Sequence, residues 1–179
     1  RFRLLAATLV ALLVALVLAG LLLAGLFRDH VLRQFGTTLT AQLDQVTARL
    51  EFNDAGQPQL DARTLSDPRW SRPYSGLYWQ VDQLDRTEVN RGVLRSRSLW
   101  DTALVVQADA LADGAVHEHE LAGPGGSSLL AVERTVRRDG VAGEWRLLAA
   151  GDLNETDAAV KRFNGVLATS LAVLLVLLC

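Results

Sequence analysis

The stretch LLAATLVALLVALVLAGLLLAGLF, residues 4–27, decides the fold because it contains no charged residue. As an α-helix rising about 1.5 Å per residue, it would be roughly 36 Å long, enough to cross a hydrocarbon core about 30 Å thick. A lone span in lipid must satisfy its own backbone hydrogen bonds, so a helix is the expected form. We therefore predict a first transmembrane helix within residues 1–27.

A cleaved signal peptide is the alternative interpretation of this stretch. The apolar region of such a peptide is about 7–15 residues long and is followed by small residues at a cleavage site. The apolar run here is longer, and Leu26-Phe27-Arg28 is a poor cleavage site. We therefore favour an uncleaved span.

A second uncharged stretch, GVLATSLAVLLVLLC, occupies residues 165–179. It is shorter than the roughly 20 residues that a membrane crossing needs. Because the chain starts at Arg1 rather than methionine and stops within this apolar pattern, we expect a longer protein in which a second transmembrane helix continues. Residues 28–164 would then form one folded domain between two spans.

Flanking charges predict the orientation of this domain. Arg1 and Arg3 precede the first span, whereas the basic residues that follow it are partly offset by Asp29. Basic flanks tend to stay in the cytoplasm, so we predict a cytoplasmic N-terminus and residues 28–164 on the other side. That segment holds all 20 acidic residues and, being mildly acidic, lacks the basic patch that binding nucleic acid requires. The only cysteine is Cys179, which excludes a disulfide or thiolate metal site in the domain.

The first helix is expected to continue beyond its apolar stretch. Apolar residues recur after it at spacings of three and four, at Leu32, Phe35, Leu39, Leu43, Val46 and Leu50. This is the period of one helix face, and we call these residues the apolar stripe. The stripe can pack on its own domain or pair with a second copy, and the two uses can coexist on different edges. Gly56 and Pro58 are expected to end the helix region.

Downstream the apolar period changes to two, which is typical of strands. The predicted strands are residues 77–83, 92–99, 116–121, 129–138 and 144–150, of which the first two form an antiparallel hairpin. A second helix should start near Asp152 or Asn154, since both are good N-cap residues, and run into the second apolar stretch. The fold class is therefore α+β, in which a long N-terminal helix covers the one buried face of about five antiparallel strands.

The tract His117-Glu118-His119-Glu120 is the one cluster with metal-ligand character. In a strand, His117 and His119 share one face, and two imidazoles could bind Zn²⁺ with help from elsewhere. The alternative is a solvated edge strand, which we favour because the tract supplies no third ligand. We assign no metal site and leave His117 and His119 as the candidates for one. No phosphate loop or nucleophile motif is present, so we assign no catalytic residue and no cofactor.

Two other groups of side chains allow more than one interpretation. Arg95 and Arg97 could bind an anion, but ion pairing with Asp82, Asp85 or Asp101 is the interpretation we prefer. The aromatic residues near the predicted hairpin are Trp70, Tyr74, Tyr78, Trp79 and Trp100. Core packing explains most of them, and a small pocket lined by some of them is the alternative.

Two segments together resemble a known family. They are RPYSGLYWQV at residues 72–81 and LRSRSLWD at residues 94–101, and they are similar to the sensor region of PhoQ-like sensor histidine kinases of proteobacteria. We call these the signature segments. Their family-signature residues are Pro73, Tyr74, Ser75, Gly76, Tyr78, Trp79, Arg95, Ser96, Arg97, Trp100 and Asp101.

The resemblance implies a periplasmic PAS-like sensor, of the PDC or Cache type, between two transmembrane helices of the bacterial inner membrane. It also implies a homodimer with an unidentified extracytoplasmic ligand. The full protein would be a protein-histidine kinase that uses ATP and Mg²⁺ and passes phosphate to a response regulator. The same input architecture would also suit a chemotaxis receptor or a cyclic-nucleotide enzyme, and a two-span envelope protein without signalling output is a further alternative.

Overall fold

In the computed structural model, which describes residues 2–85, 88–106, 114–138, 140 and 143–178, the first element is one continuous helix, α1, over Phe2–Arg49. The predicted continuation beyond the apolar stretch is therefore confirmed. A turn follows the helix, in which Asn53 N–H donates to the Gln57 carbonyl at 3.0 Å. Gly56 lies in this turn with a φ of 74°, a value that glycine adopts without the penalty of a Cβ.

The chain forms two compact units. The sheet unit is Phe35–Asn154, and the helical unit is Arg1–Gln34 with Glu155–Cys179. Helix α1 contributes residues to both units. The second helix, α2, is Asn154–Leu178 and carries Glu155 and Asp157 in its first turn, where acidic side chains favour the helix dipole.

The sheet unit contains a five-stranded antiparallel sheet. After a small ladder of β1 (Glu51–Phe52) and β2 (Pro58–Gln59), its strands are β3 (Leu77–Leu84), β4 (Val89–Arg95), β5 (Val116–Ala122), β6 (Ser128–Val136) and β7 (Glu144–Asp152). The spatial order is β4-β3-β7-β6-β5, so the last strand along the chain is the central one. The predicted α+β class with a long first helix and about five antiparallel strands is confirmed.

One face of the sheet packs against α1, and we call it the helix face. Gly151 on β7 lies against Phe35 and Leu39 of the helix, and Arg134 on β6 forms an ion pair with Asp44 at 2.7 Å. From Leu39 to Leu50 the apolar stripe is buried there, with Leu39 and Leu43 at 0% exposure. Of the two uses predicted for the stripe, packing on its own domain is the one that the sheet unit shows.

The opposite face of the sheet is covered as well, which the sequence pattern did not predict. Leu99 and Leu104, from the segment after β4, pack with Tyr78, Leu129 and Ala131 in one buried cluster. Consequently every residue from 77 to 82 in β3 is buried, on both faces. The expectation of a single buried face was wrong because a non-regular segment supplies the second covering layer. We call this side the covered face.

The predicted bounds of β4 were also wrong. Residues 97–99 form a 3₁₀ turn instead of continuing the strand, which ends at Arg95. At the other end, the strand was predicted to start at residue 92, but β4 starts at Val89. Gly92 lies inside it, at the register shift between the pairs of Val81 and Gln83. Its φ of 64° fits a bulged irregularity, in which β4 advances from Asn90 to Leu94 while β3 advances only from Val81 to Gln83.

The helical unit brings the two apolar stretches into contact. Phe27 and Phe163 stack with their ring centroids 4.0 Å apart. A Cβ atom placed on Gly20 would lie 2.8 Å from Leu171 Cδ1, so the helices approach closely where α1 has no side chain. Both helices are long and apolar enough, by length and composition, to cross a membrane.

Candidate functional site at the end of strand β7

The two signature segments meet at one end of β3. Tyr74 N–H donates to the Ser98 carbonyl at 2.9 Å, and Ser96 N–H donates to the Trp79 carbonyl at 2.9 Å. The segments are separated along the sequence by most of the hairpin, and these backbone hydrogen bonds hold them side by side. The family-signature residues therefore belong to one structural site rather than to two.

A chain of buried hydroxyl groups joins the signature segments internally. Ser98 Oγ donates to the Leu77 carbonyl at 2.6 Å, which leaves Ser96 Oγ as the donor in the 2.8 Å contact between the two serines. Ser96 Oγ in turn accepts the Trp79 backbone N–H at 3.0 Å. These side-chain bonds replace ladder hydrogen bonds at the end of β4, and this is why the strand stops at Arg95.

Replacing Ser96 by alanine is expected to destabilise the protein by about 1–3 kcal/mol, because the buried Trp79 N–H loses its acceptor. All four tryptophans lie in the sheet unit, so tryptophan fluorescence during urea unfolding in detergent measures the loss. Ser71→Ala is the matched control, since Ser71 is exposed. Equal unfolding midpoints for the two variants would show that the hydroxyl chain does not contribute.

The five aromatic residues separate into a buried and an exposed group. Trp70, Tyr78 and Trp79 are buried, as core packing predicts, and burial raises the pKa of Tyr78. Tyr74 and Trp100 are instead 56% and 54% exposed. Both have a positive φ, 55° and 56° respectively, which is uncommon and strained for residues with large side chains.

Side-chain hydrogen bonds connect the first signature segment to its surroundings. Tyr74 Oη donates to Asp101 Oδ1 at 3.4 Å, and Ser75 Oγ donates to the Arg69 carbonyl at 2.6 Å. Arg69 also binds Asp67 through both nitrogens of its fork, and these hydrogen bonds lower the pKa of the Asp67 carboxyl. These bonds connect the segment that carries Tyr74 to Asp101 and to the turn at Arg69.

The signature segments adjoin the point where β7 ends and α2 begins, which we call the junction. Asp152 N–H donates to the Gly76 carbonyl at 2.8 Å, and Leu77 pairs with Gly151 in the ladder. The Asp152 carboxylate accepts the backbone N–H of Asn154, the first residue of α2, at 2.8 Å. Asp152 therefore links the first signature segment to the start of the helix.

Ion pairing of Arg95 and Arg97 with Asp82, Asp85 or Asp101 was preferred from the sequence, and of these three carboxylates Asp82 is bound by a different arginine. Arg95 Nη1 donates to the Thr102 carbonyl at 3.2 Å, and Arg97 is exposed. Asp82 is paired with Arg146 instead, at 2.8 Å, and both side chains are buried. Arg146 is the residue directly opposite Asp82 in the ladder between β3 and β7, and that placement could not be known before the strand order.

A row of charged side chains crosses the covered face. From Arg146 it continues to Glu133 on β6, whose Oε2 lies 3.7 Å from Arg146 Nε, and then to His119 on β5, 3.1 Å from Glu133 Oε1. Asp82, Arg146 and Glu133 are each 4% exposed or less as side chains. Asp82 also accepts hydrogen bonds from Gln80 and from the Gly92 N–H. We call Asp82, Arg146, Glu133 and His119 the charged row.

The two histidines lie on the covered face of β5, which is an edge strand. Their ring centroids are 6.4 Å apart. Among the described residues, no group of three or more His, Cys, Asp or Glu side chains is arranged to hold a metal ion.

Glu133, the partner of His119, was absent from the sequence-based candidates. In the sequence, Glu133 is a charged residue among the apolar positions of β6, and this feature could have identified it.

Comparison with known proteins relates the chain to a sensor kinase. The chain is 33% identical over 177 residues to the sensor protein kinase CarS of Pseudomonas aeruginosa, across 94% of this chain and 36% of that protein. The chain thus spans about a third of the length of this curated relative. No protein-family model matches the chain, and no solved structure matches it. The similarity supports the sensor-kinase part of the resemblance without singling out the PhoQ-like group, and together with the two apolar helices it fits an inner-membrane protein.

Proposed function

We propose that this chain is the signal-input region of a two-component sensor histidine kinase. The observation that carries the proposal is that one folded sheet unit continues at both of its ends into a long apolar helix. The similarity to a sensor protein kinase over nearly the whole chain indicates the class of output. We infer that α1 and α2 cross the inner membrane and that the sheet unit lies in the periplasm, with a cytoplasmic N-terminus.

The proposed mechanism is a shift between two states of the sheet unit. An extracytoplasmic stimulus favours one state only if it binds the two states with different affinity. The sheet then moves relative to the helices, and the helices carry the displacement across the membrane. In the whole protein, the displacement would control autophosphorylation of a histidine by a kinase region that uses ATP and Mg²⁺. Phosphate transfer to a response regulator would follow.

The finer parts of this proposal concern the fold type and the assembly. A PAS-like sheet of the PDC or Cache type is supported by the strand order, in which the last strand lies between the two hairpins. We also propose a homodimer. Because the apolar stripe from Leu39 to Leu50 is buried on the sheet, a second copy would have to contact other parts of the protein, including the exposed side of α1.

A chimera tests the proposed function. This chain replaces the matching region of the Pseudomonas aeruginosa relative, and autophosphorylation is measured in membrane vesicles. Deleting residues 65–150, which removes the sheet, is expected to change autophosphorylation by at least about fivefold, a typical size for coupling between sites. The matched control is Arg63→Ala in the same chimera, because Arg63 is exposed and pairs with the neighbouring Asp61 at the surface.

The outcomes separate the candidate functions. Unchanged output after the deletion would contradict a signal-input role and favour a two-span envelope protein without signalling output. A changed output supports an input module. Grafting this chain onto a chemotaxis receptor or a cyclic-nucleotide enzyme then tests the other output classes. The proposal expects the largest change in output from the kinase chimera.

A further inference from the structure

Helix α1 and strand β7 approach each other at Gly151 more closely than a side chain at that position would allow. A Cβ atom placed on Gly151 would lie 2.5 Å from Phe35 Cζ and 3.1 Å from Leu39 Cδ2. Gly151 is buried and its φ is not in the left-handed region. Glycine is therefore required here for space rather than for backbone conformation, as is usual where another element approaches a strand closely.

Gly36, which follows Phe35 in α1, lies against a different strand, β5. A Cβ atom on Gly36 would collide with the carboxylate of Glu118 on β5. At one level of the helix, Phe35 therefore contacts the central strand of the sheet while Gly36 faces the edge strand. The contact at Gly151 is the firmer of the two, because the Glu118 side chain is exposed and can move aside.

Gly151 is also the residue immediately before the link to α2. Its neighbour Asp152 binds the Gly76 carbonyl through its N–H and the Asn154 N–H through its carboxylate. A change in the position of Phe35 therefore acts on β7 within three residues of the start of α2. Through the contact between Phe35 and Gly151, α1 therefore touches the strand that leads directly into the junction, where α2 begins.

We propose that the contact between Phe35 and Gly151 couples α1 to α2, so that the sheet unit sets the position of one helix against the start of the other. Phe35 and Gly151 are positioning residues, because they act through the helices and touch no reacting group. This inference rests on the proposed function and specifies where the two helices are coupled. The competing explanation is core packing without any role in output.

The test uses the chimera with Gly151→Ala, Phe35→Leu and both together. The Gly151→Ala methyl group overlaps the Phe35 ring, so the ring must move away from β7, and basal autophosphorylation is expected to change by at least about fivefold. Phe35→Leu removes the ring atoms that the methyl group would meet. The double variant is therefore expected to return to within about twofold of the parent chimera, as coupled neighbours do.

Gly25→Ala is the matched control. Gly25 also lies within α1, and a Cβ atom there would meet nothing within 4 Å. Unchanged output is expected for this variant. Tryptophan fluorescence unfolding of each protein runs in parallel, because a residue with only a packing role would change the unfolding midpoint and leave the output of the folded protein unaltered.

The possible results distinguish a failure of the coupling role from a failure of the proposed function. If deletion of residues 65–150 changes output but Gly151→Ala, although folded, does not, the coupling role is wrong and the input role stands. If Gly151→Ala does not fold, Phe35→Leu tests the coupling role instead, because it creates space and causes no overlap. The proposal expects Phe35→Leu alone to alter autophosphorylation by at least about fivefold. Parent-like output from folded Phe35→Leu, or failure of the double variant to restore output, overturns the inference.

Discussion

Arg146→Ala is expected to destabilise the protein by about 3–5 kcal/mol, because it leaves two buried carboxylates without their cation. Arg146 binds Asp82 at 2.8 Å and lies 3.7 Å from Glu133, and all three side chains are almost fully buried. A domain of this size is stable by about 5–15 kcal/mol in total. The variant should therefore lose a large part of its stability, and the urea midpoint of tryptophan fluorescence should fall accordingly.

Two further variants show whether charge burial causes this loss. Adding Glu133→Gln to Arg146→Ala removes one of the uncompensated charges, so part of the lost stability should return. Arg63→Ala breaks an ion pair with Asp61 that is exposed to solvent, and little change is expected there. A loss for Arg146→Ala no larger than that for Arg63→Ala would mean that the buried pairs do not hold the sheet together.

The charged row shows a limit of interpretation from sequence. Alternation within a strand predicts which residues share a face, and it placed His117 and His119 together. It does not predict which strands are neighbours. Asp82 faces Arg146 only because β7 inserts between β3 and β6, and Glu133 reaches Arg146 and His119 diagonally across the ladder. The row therefore appeared only with the sheet order.

Serine side chains and close backbone approaches were missed for a different reason. The run from Val93 to Leu99 alternates like a strand, but the Ser96 and Ser98 hydroxyls form the hydrogen bonds that end it. At Gly151, the sequence shows only a glycine at the end of a strand. The need for glycine comes from Phe35, which is close to Gly151 in space but far from it along the sequence. Both features depend on atoms that are distant along the chain.

Long periodic segments, by contrast, were predicted well from the sequence. The spacing of three and four from Leu32 to Leu50 predicted that α1 continues past its apolar stretch, and the helix does extend to Arg49. Strands β3, β5, β6 and β7 begin within one residue of their predicted starts. Such segments contain enough repeats for their period to dominate over local exceptions.

Leu43→Ala is expected to reduce stability by about 2–5 kcal/mol, the usual cost of a cavity in a packed core. Leu43 lies in the middle of the apolar stripe and is 0% exposed. Tryptophan fluorescence during urea unfolding in detergent measures the loss. The matched control is Val105→Ala, because Val105 is 61% exposed, and truncation there should change stability by no more than about 0.5 kcal/mol.

The dependence of this loss on protein concentration distinguishes the two uses predicted for the apolar stripe. If Leu43 packs on its own sheet, the difference in unfolding midpoint between parent and variant is the same at every concentration. If the stripe instead joins two copies, the midpoint of the parent rises with concentration through mass action. The variant, having lost association energy, follows this rise less, so the difference between the two depends on concentration. A concentration-dependent difference, together with a shift to monomer in size-exclusion chromatography with light scattering, would contradict packing of the stripe on its own sheet. Because Leu39, Leu43 and Val46 are all fully buried within one chain, we expect no such dependence, and association of two copies must then use a surface other than the buried stripe.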